Sequence, residues 1–361
     1  MNGRALWLAV VLVAAGLPLP LDAQDASAGD AAYVLVVSGL GGTPEYADRF
    51  HAQALALVDA AAASGVPGAR LRWLAEDPAR APGRIAGRST REALAEEIAA
   101  VVQAVGPEDR LLLVLIGHGT GTGDVSKLNL PGPDLTGADL AGWLDPVAGT
   151  VAVVNTAGAS GGFVEPLSTD RRVVITATRS PRESEWTWFG QAFVEGLAGD
   201  GADIDRNGRV SLLEAFTFAR NEVERRYERE GQLLTEHALL DDDGDGEGSL
   251  EPSADGGADG ALAARFYLGP PRGVAARDGA PADPGRADPR VRALAAERAE
   301  LEDAVAGLRA RRGEMDTDTY EARLEALLVE LARVNQTLRE ATSGEAREAP
   351  AGEADEAEGE P

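Results

Sequence analysis

Short apolar runs that end in small-residue turns limit the fold of this chain more than any other feature of its sequence. Most of these runs, such as residues 111–116 and 151–155, are rich in valine, leucine or isoleucine and lack the alternation of a strand that has one solvent-exposed face. Strands that are apolar on both faces are typical of parallel sheets covered by helices. The predicted strands are residues 33–38, 70–74, 111–116, 151–155 and 172–178, with a last strand expected at 262–268.

Predicted helices alternate with these strands, as parallel connections require. The second helix is expected to begin at Ser89 or Thr90, and Ser89 would form a capping box with Glu92. The sequence therefore predicts an α/β domain over residues 31–270, a mostly parallel sheet sandwiched by helices. Ligand sites in such sheets lie beyond the carboxyl ends of the strands. The predicted helices are residues 44–63, 89–105, 136–144, 186–198 and 212–227.

Two of the predicted strand ends carry distinctive turns. Residues 111–119 read LLLVLIGHG, so His118 follows a buried strand and lies between two glycines. Residues 151–163 read VAVVNTAGASGGF, in which a second buried strand runs into a turn that contains Ser160 and two glycines. In this order, the two motifs resemble the histidine strand and the nucleophile strand of caspase-like and legumain-like cysteine peptidases.

This resemblance covers about residues 31–270 and implies a role for each position of the two turns. His118 is the expected general base, and the backbone N–H groups of Gly119 and Gly158 are the expected oxyanion hole. Gly158 stands where the resemblance places the nucleophilic cysteine, and the chain contains no cysteine. Since glycine has no side chain, the resemblance implies a pseudopeptidase that binds a peptide or protein, with Ser160 part of a vestigial site.

Two other functions fit the same residues. An altered hydrolase would use Ser160 or Thr156 with His118, although the sequence reveals no third group to orient the imidazole. A non-catalytic envelope assembly protein would act through its C-terminal helices instead. His118 also fits a structural role at a strand end, with its ring bonded to the backbone. For His51 and His237 we expect surface or structural roles.

Residues 203–214 match the calcium loop of an EF-hand. Such a loop needs oxygen side chains at positions 1, 3 and 5, a turn at position 6, a carbonyl at position 7 and a bidentate carboxylate at position 12. Helical patterns flank the loop on both sides. We therefore predict Ca²⁺ as the cofactor; the alternative is an acidic turn. The predicted ligands are Asp203, Asp205, Asn207, the carbonyl of Arg209, Ser211 and Glu214, with the turn at Gly208.

A second loop begins in a similar way at Asp241, Asp243, Asp245 and Gly246. Its twelfth position is Pro252, which has no side-chain oxygen, so the bidentate ligand of a calcium loop is missing. Residues 241–252 are therefore either a weakened calcium site or a solvated acidic loop.

The formal net charge of −26 bears on the partners of this chain. Nucleic acid is not expected to bind, because its phosphates would be repelled. Residues 1–23 resemble a secretory signal, with an apolar core and a small-residue cleavage site, although the segment also fits a retained anchor. We expect a periplasmic or extracellular protein with no stable membrane span after cleavage. Without cysteine, its stability cannot come from disulfides.

The C-terminal residues change in character. Residues 271–288 are rich in proline, glycine, alanine and aspartate, which predicts a disordered linker. Residues 289–340 repeat apolar side chains at a spacing of three and four, which predicts a helical hairpin or coiled coil and a possible route to oligomers. Residues 341–361 are acidic and are expected to form a disordered tail.

Overall fold

The protein contains a seven-stranded, mostly parallel sheet between layers of helices, together with a small three-stranded antiparallel sheet. The computed structural model describes residues 30–183, 186–255, 259–269, 289–312 and 315–348. In chain order, the strands are β1 (Ala32–Ser38), β2 (Leu71–Ala75), β3 (Gly87–Arg88), β4 (Arg110–Ile116), β5 (Gly119–Thr122), β6 (Val125–Leu128), β7 (Leu135–Thr136), β8 (Thr150–Asn155), β9 (Arg172–Thr176) and β10 (Leu239–Asp241).

Side-chain caps mark where several of the helices begin. The helices are α1 (Pro44–Ala63), α2 (Arg91–Ala104), α3 (Gly137–Leu144), α4 (Val164–Leu167), α5 (Phe189–Ala198), α6 (Leu212–Glu230), α7 (Pro289–Ala310) and α8 (Thr317–Glu348). Thr90, rather than Ser89, caps α2, because its hydroxyl accepts the N–H of Ala93 at 3.2 Å whereas Ser89 is fully buried. Gly231 ends α6 in the left-handed conformation that glycine adopts readily.

The order of the strands creates a crevice at the carboxyl edge of the large sheet. The order is β10, β9, β8, β4, β1, β2 and β3, and every neighbouring pair is parallel except β10 with β9. The chain passes from β1 to β2 on one side and returns to β4 on the other. Ligands bind outside the strand ends at such a switch point. Residues 39–42 follow β1 and His118 follows β4, so both border this crevice.

Each face of the large sheet packs against its own layer of helices. In β1, Val34 and Val36 belong to one core, whereas Leu35 and Val37 belong to the other, as the alternation of side chains along a strand requires. Helices α1, α5 and α6 contribute to the first core, and α2, α3 and α4 contribute to the second. This arrangement confirms the predicted α/β class and the mostly parallel sheet covered by helices.

The small sheet, β5–β6–β7, holds the backbone that leaves His118. β5 has the sequence GTGT, which carries no apolar strand signal, and most of it is exposed. Its conformation depends on antiparallel pairing with β6, where Gly119 lies opposite Leu128. The backbone carbonyl of His118 also accepts the N–H of Asn129 at 2.9 Å. Residues remote from the histidine motif therefore fix its orientation.

The prediction of a strand at residues 262–268 is wrong. Ala263–Arg265 forms a 3-10 turn instead. The N–H groups of Leu262 and Ala263 donate to the carboxylate of Asp242 at 2.8 and 2.7 Å, and a carboxylate that binds successive N–H groups holds the chain in a turn. The edge position beside β9 belongs to the antiparallel strand β10.

The helix predicted to begin at residue 186 begins at Phe189. The hydroxyl of Thr187 donates to the carbonyl of Thr156 at 2.6 Å, and the N–H of Trp188 donates to the carboxylate of Glu236 at 2.8 Å. These bonds to distant parts of the chain hold residues 187 and 188 outside the helix.

Helices α7 and α8 follow the α/β domain in sequence and contact each other. α8 continues through residues 341–348, so the prediction of a disordered tail from residue 341 is wrong for that stretch. The predicted signal at 1–23, the linker at 271–288 and the rest of the tail at 349–361 lie outside the described residues. Within the described ranges, no helix is both long and apolar enough to cross a membrane.

Candidate functional site

His118 lies at the carboxyl end of β4 inside a group of aromatic rings. Its ring centroid is 4.5 Å from that of Tyr46 and 5.0 Å from that of Phe50, both in edge-to-face geometry. Burial lowers the pKa of His118, and a hydrogen bond with the backbone of Gly41 partly opposes this effect. The ring is therefore neutral at neutral pH and is held by α1 and by the loop after β1.

The two glycines of the sequence motif meet in space. A Cβ atom on Gly119 would overlap the carbonyl oxygen of Gly158, so only glycine fits at residue 119. The next residue after Gly158, Ala159, adopts a left-handed conformation with φ of 54°, and its N–H donates to the carbonyl of Glu183 at 2.6 Å. The structure thus brings the turn after β8 against the turn after β4, beside His118.

The two hydroxyl groups considered as alternative nucleophiles are buried and hydrogen-bonded within the domain. Thr156 Oγ1 donates to the carbonyl of Leu115 at 2.9 Å. Ser160 Oγ lies 3.2 Å from Thr178 Oγ1 and accepts the N–H of Thr178 at 3.2 Å. Within the described ranges, neither hydroxyl bonds to His118. The residues of the histidine motif and the hydroxyl groups are therefore not assembled into a nucleophile and its base.

Half-buried aromatic side chains and one arginine extend the surface beside His118. The ring of Trp186 lies 5.5 Å from Tyr46 and 6.1 Å from Trp188. The guanidinium of Arg49 lies 5.6 to 5.9 Å from all three ring centroids. In the part of the chain that the structure describes, the buried indole N–H of Trp186 has no hydrogen-bond acceptor. Sequence reasoning missed this surface because it assigned residues 186–188 to a helix.

The remaining histidines have structural contacts. His51 packs against Trp73 at a centroid separation of 5.1 Å, and burial lowers its pKa. His237 Nδ1 lies 2.9 Å from Glu183 Oε1, and Glu183 also pairs with Arg179 at 2.8 Å. These contacts fit the structural roles expected for both rings.

Glu236 is a buried carboxylate close to this surface that sequence reasoning did not single out. Both of its oxygens accept the N–H of Trp188, at 3.1 and 2.8 Å, and so fix the start of α5. Burial raises the pKa of Glu236 to about 7 in spite of these bonds. A group that titrates near neutral pH therefore holds the segment that carries Trp188.

The three carboxylates among the predicted calcium ligands converge in the loop between α5 and α6. One carboxylate oxygen from each of Asp203, Asp205 and Glu214 lies within 4.8 Å of the other two. The loop turns at Gly208, whose φ of 83° suits glycine. The guanidinium of Arg209 lies 3.8 Å from the ring centroid of Tyr267. This side chain has no part in the predicted site, which uses the backbone carbonyl of Arg209.

Hydrogen bonds from the backbone hold these oxygens together. Asp203 accepts the N–H groups of Asn207 and Gly208 at 2.9 and 2.8 Å. Glu214 accepts the N–H of Ile204 at 2.9 Å and forms a capping box with Ser211 at the start of α6.

The loop concentrates negative charge in a way that fits a hard divalent cation. Loss of solvent around Asp205 and the nearby charge of Glu214 raise the pKa of Asp205 to about 6. Oxygen ligands gathered around one point are the chemistry that Ca²⁺ requires. The side chains of this loop therefore fit the predicted ion, whose charge would offset the repulsion between the carboxylates.

Comparisons with known proteins supply no identity. No family model matches the chain, and no curated protein matches it. The chain is similar to the crystal structure of a structural genomics target from Geobacter sulfurreducens, with 13% identity and a TM-score of 0.39 over 58% of this chain and 92% of that one. A similarity of this size carries no argument about function.

Proposed function

We propose that this protein is an exported pseudopeptidase of the caspase-like and legumain-like class. In this proposal, bound Ca²⁺ stabilises the domain, and a peptide or protein segment binds at the carboxyl edge of the large sheet. The observation that carries the proposal is the contact of Gly158 with Gly119 beside His118. The position of the nucleophile has no side chain, while the backbone of the two turns is closely packed. Such a site keeps the shape for a substrate without the group that would attack it.

The hydrogen bonds of Thr156 and Ser160 favour binding over an altered hydrolase. A catalytic hydroxyl needs its base within hydrogen-bond reach and a third group that orients the base. Both hydroxyls bond to groups other than His118, and the ring of His118 bonds to the backbone of Gly41. Binding therefore needs no rearrangement of these groups, whereas hydrolysis does.

The aromatic surface supports a peptide as the ligand. Half-buried Tyr46, Trp186 and Trp188 offer large rigid contacts of the kind that dominate protein interfaces. The space beside Gly119 is filled by the carbonyl oxygen of Gly158, so the proposed peptide contacts come from the aromatic side chains.

The calcium proposal rests on the convergence of Asp203, Asp205 and Glu214. In the proposed site these carboxylates, the side chains of Asn207 and Ser211 and the carbonyl of Arg209 hold Ca²⁺ between α5 and α6. The ion supplies positive charge and fixes the start of α6. Because α5 follows Trp188 directly, a rigid loop after α5 stabilises the helix next to the proposed peptide surface.

We assign α7 and α8 to an antiparallel hairpin that forms a separate module and a route to oligomers. Support comes from the contact between the two helices and from buried apolar side chains on both, such as Val305, Leu308 and Val334. Export is proposed from the signal-like residues 1–23.

The experiment that tests peptide binding screens a random-sequence peptide array with the full chain. The affinity of peptides that bind is then measured in solution by isothermal titration calorimetry, which does not depend on the tryptophans that the variants remove. Trp186→Ala is expected to weaken binding by about tenfold or more, which corresponds to about 1.4 kcal/mol. Trp143→Ala is the matched control, because Trp143 packs on the opposite face of the large sheet.

Two results would remove the peptide proposal. One is an array without reproducible binders. The other is a set of binders whose affinity is the same in the wild type and in Trp186→Ala. Equal weakening by Trp186→Ala and Trp143→Ala would assign the effect to general loss of stability rather than to the surface beside His118.

A further inference from the structure

A second group of carboxylates lies at the edge of the large sheet that is opposite to His118. Asp241 ends β10 and pairs in register with Val174 of β9. One carboxylate oxygen from each of Asp241, Asp243 and Asp259 lies within 4.8 Å of the other two. Asp241 is 0% exposed and Asp259 is 3% exposed, whereas Asp243 faces solvent. Two of three neighbouring negative charges are therefore buried.

Asp259 carries an unused ligand atom in this group. Its Oδ1 accepts the N–H of Asp242 at 2.9 Å, but its buried Oδ2 has no hydrogen-bond partner in the part of the chain that the structure describes. None of the ion pairs among the described residues includes Asp241, Asp243 or Asp259. A buried carboxylate oxygen without a donor or counter-charge is costly, so a cation is the missing partner that its chemistry indicates.

Specific contacts hold the group in place. The carboxylate of Asp242 accepts the N–H groups of Gly260 and Ala263, both at 2.7 Å, and so fixes the segment that follows Asp259. Asp241 accepts the hydroxyl of Ser168 and the N–H of Gly246, each at 3.0 Å. The segments that supply the carboxylates are therefore anchored independently of any ion.

We propose that Asp241, Asp243 and Asp259 form a second binding site for a hard divalent cation, with Ca²⁺ as the expected occupant. Asp259 supplies the carboxylate that Pro252 cannot supply at the twelfth position of the loop. Exposed Asp243 leaves a route for the ion from solvent. Carboxylate oxygens select Ca²⁺ or Mg²⁺ over soft metals, and a site drawn from a loop and a separate turn suits the flexible coordination of Ca²⁺ better than the strict octahedron of Mg²⁺.

The position of this site gives it a structural role. The ion ties β10, the antiparallel edge strand, to the turn at 259–263. The same segment continues to Tyr267, whose hydroxyl lies 3.4 Å from Asn207 in the first loop. Loss of one ion therefore alters a segment that contacts the other loop, so the number of bound ions is a clearer readout than thermal stability.

Equilibrium dialysis of the full chain against radiolabelled Ca²⁺ tests the proposal. The wild type is expected to bind two ions and Asp259→Asn to bind one. Asp170→Asn is the matched control, since it removes an exposed carboxylate near the loop and is expected to leave both ions bound. Asp243→Asn, which changes an exposed side chain, serves as the second variant if Asp259→Asn does not fold. A parallel dialysis with Mg²⁺ in excess is expected to displace little Ca²⁺.

The outcomes separate this site from the loop at 203–214. Tb³⁺ in that loop is excited through nearby Tyr267, and its luminescence is expected to survive in Asp259→Asn and to be lost in Glu214→Gln. One ion in the wild type that disappears only in Glu214→Gln overturns the second site alone. One ion that disappears only in Asp259→Asn overturns the first alone. Two ions retained by both Asp259→Asn and Asp243→Asn also overturn the second site.

Discussion

Replacement of Glu214 by glutamine tests the calcium loop most directly, because this carboxylate joins both ends of the loop. Glu214 Oε1 accepts the N–H of Ile204 at 2.9 Å, and Oε2 accepts the N–H of Ser211 at 2.8 Å. An oxygen of the same group lies within 4.8 Å of oxygens from Asp203 and Asp205. Glutamine keeps the shape of the side chain but removes its charge and one oxygen available to the ion.

The expected size of the effect follows from mass action. At a Ca²⁺ concentration about 100-fold above Kd, the native state gains about 2.7 kcal/mol. In a domain of this size, such a gain raises Tm by about 5 to 10 °C. If glutamine weakens binding about 100-fold, the gain at the same Ca²⁺ concentration falls to about 0.4 kcal/mol, or about 1 °C.

The assay compares Tm in Ca²⁺ with Tm in a chelator, by circular dichroism, for each variant. The calcium-induced shift is the quantity of interest, because glutamine at residue 214 also faces backbone N–H groups and changes stability without any ion. The measurement uses the Asp259→Asn background, which removes the proposed second ion. Glu228→Gln is the control, since Glu228 is an exposed carboxylate on the same helix.

Two results would refute the reasoning on the calcium loop. The first is a melting curve of the wild-type loop that is the same in Ca²⁺ and in chelator. The second is a calcium-induced shift of equal size in Glu214→Gln and Glu228→Gln, because the stabilising ion would then bind elsewhere.

The remaining predictions concern the histidine motif, a buried acid and the C-terminal helices. The thiol of Gly158→Cys is expected to react with a peptide electrophile faster than the thiol of Gly142→Cys, which is an exposed control. Adding His118→Ala to Gly158→Cys should remove this difference in rate. Equal rates for the two cysteine variants would contradict the proposed peptidase-like arrangement of His118 and Gly158. Burial raises the pKa of Glu236 from 4.5 to about 7, so the contribution of this group to the free energy of unfolding is complete below about pH 4.5 and falls by up to about 3 kcal/mol as pH rises through 7. The free energy of unfolding in urea should therefore depend less on pH in Glu236→Gln than in the wild type. Identical pH profiles for the two proteins would argue against the shift. A chain that ends at Gly269 is expected to stay folded and to bind Ca²⁺, and the isolated α7–α8 segment is expected to be helical by circular dichroism. Aggregation of the shortened chain together with disorder of the isolated segment would contradict a separable module.

Signals between near neighbours in the sequence determined much of the fold. The apolar runs at 111–116 and 151–155 predicted β4 and β8, and a helix predicted at 44–63 is α1. The acidic loop at 203–214 was also accessible from sequence, because all of its predicted ligands lie within one short stretch. A short stretch brings its own side chains together without help from the rest of the chain.

Tertiary contacts decided the features that join distant parts of the chain. The GTGT sequence of β5 becomes a strand only by pairing with β6, and Asp242 turns residues 262 and 263 away from the strand that their apolar character predicts. The aromatic side chains around His118 and the approach of Asp259 to Asp241 likewise depend on how separate elements pack. The sequence contains these residues, but their separations are set by the packing energy of the whole domain, and a binding site is defined by those separations.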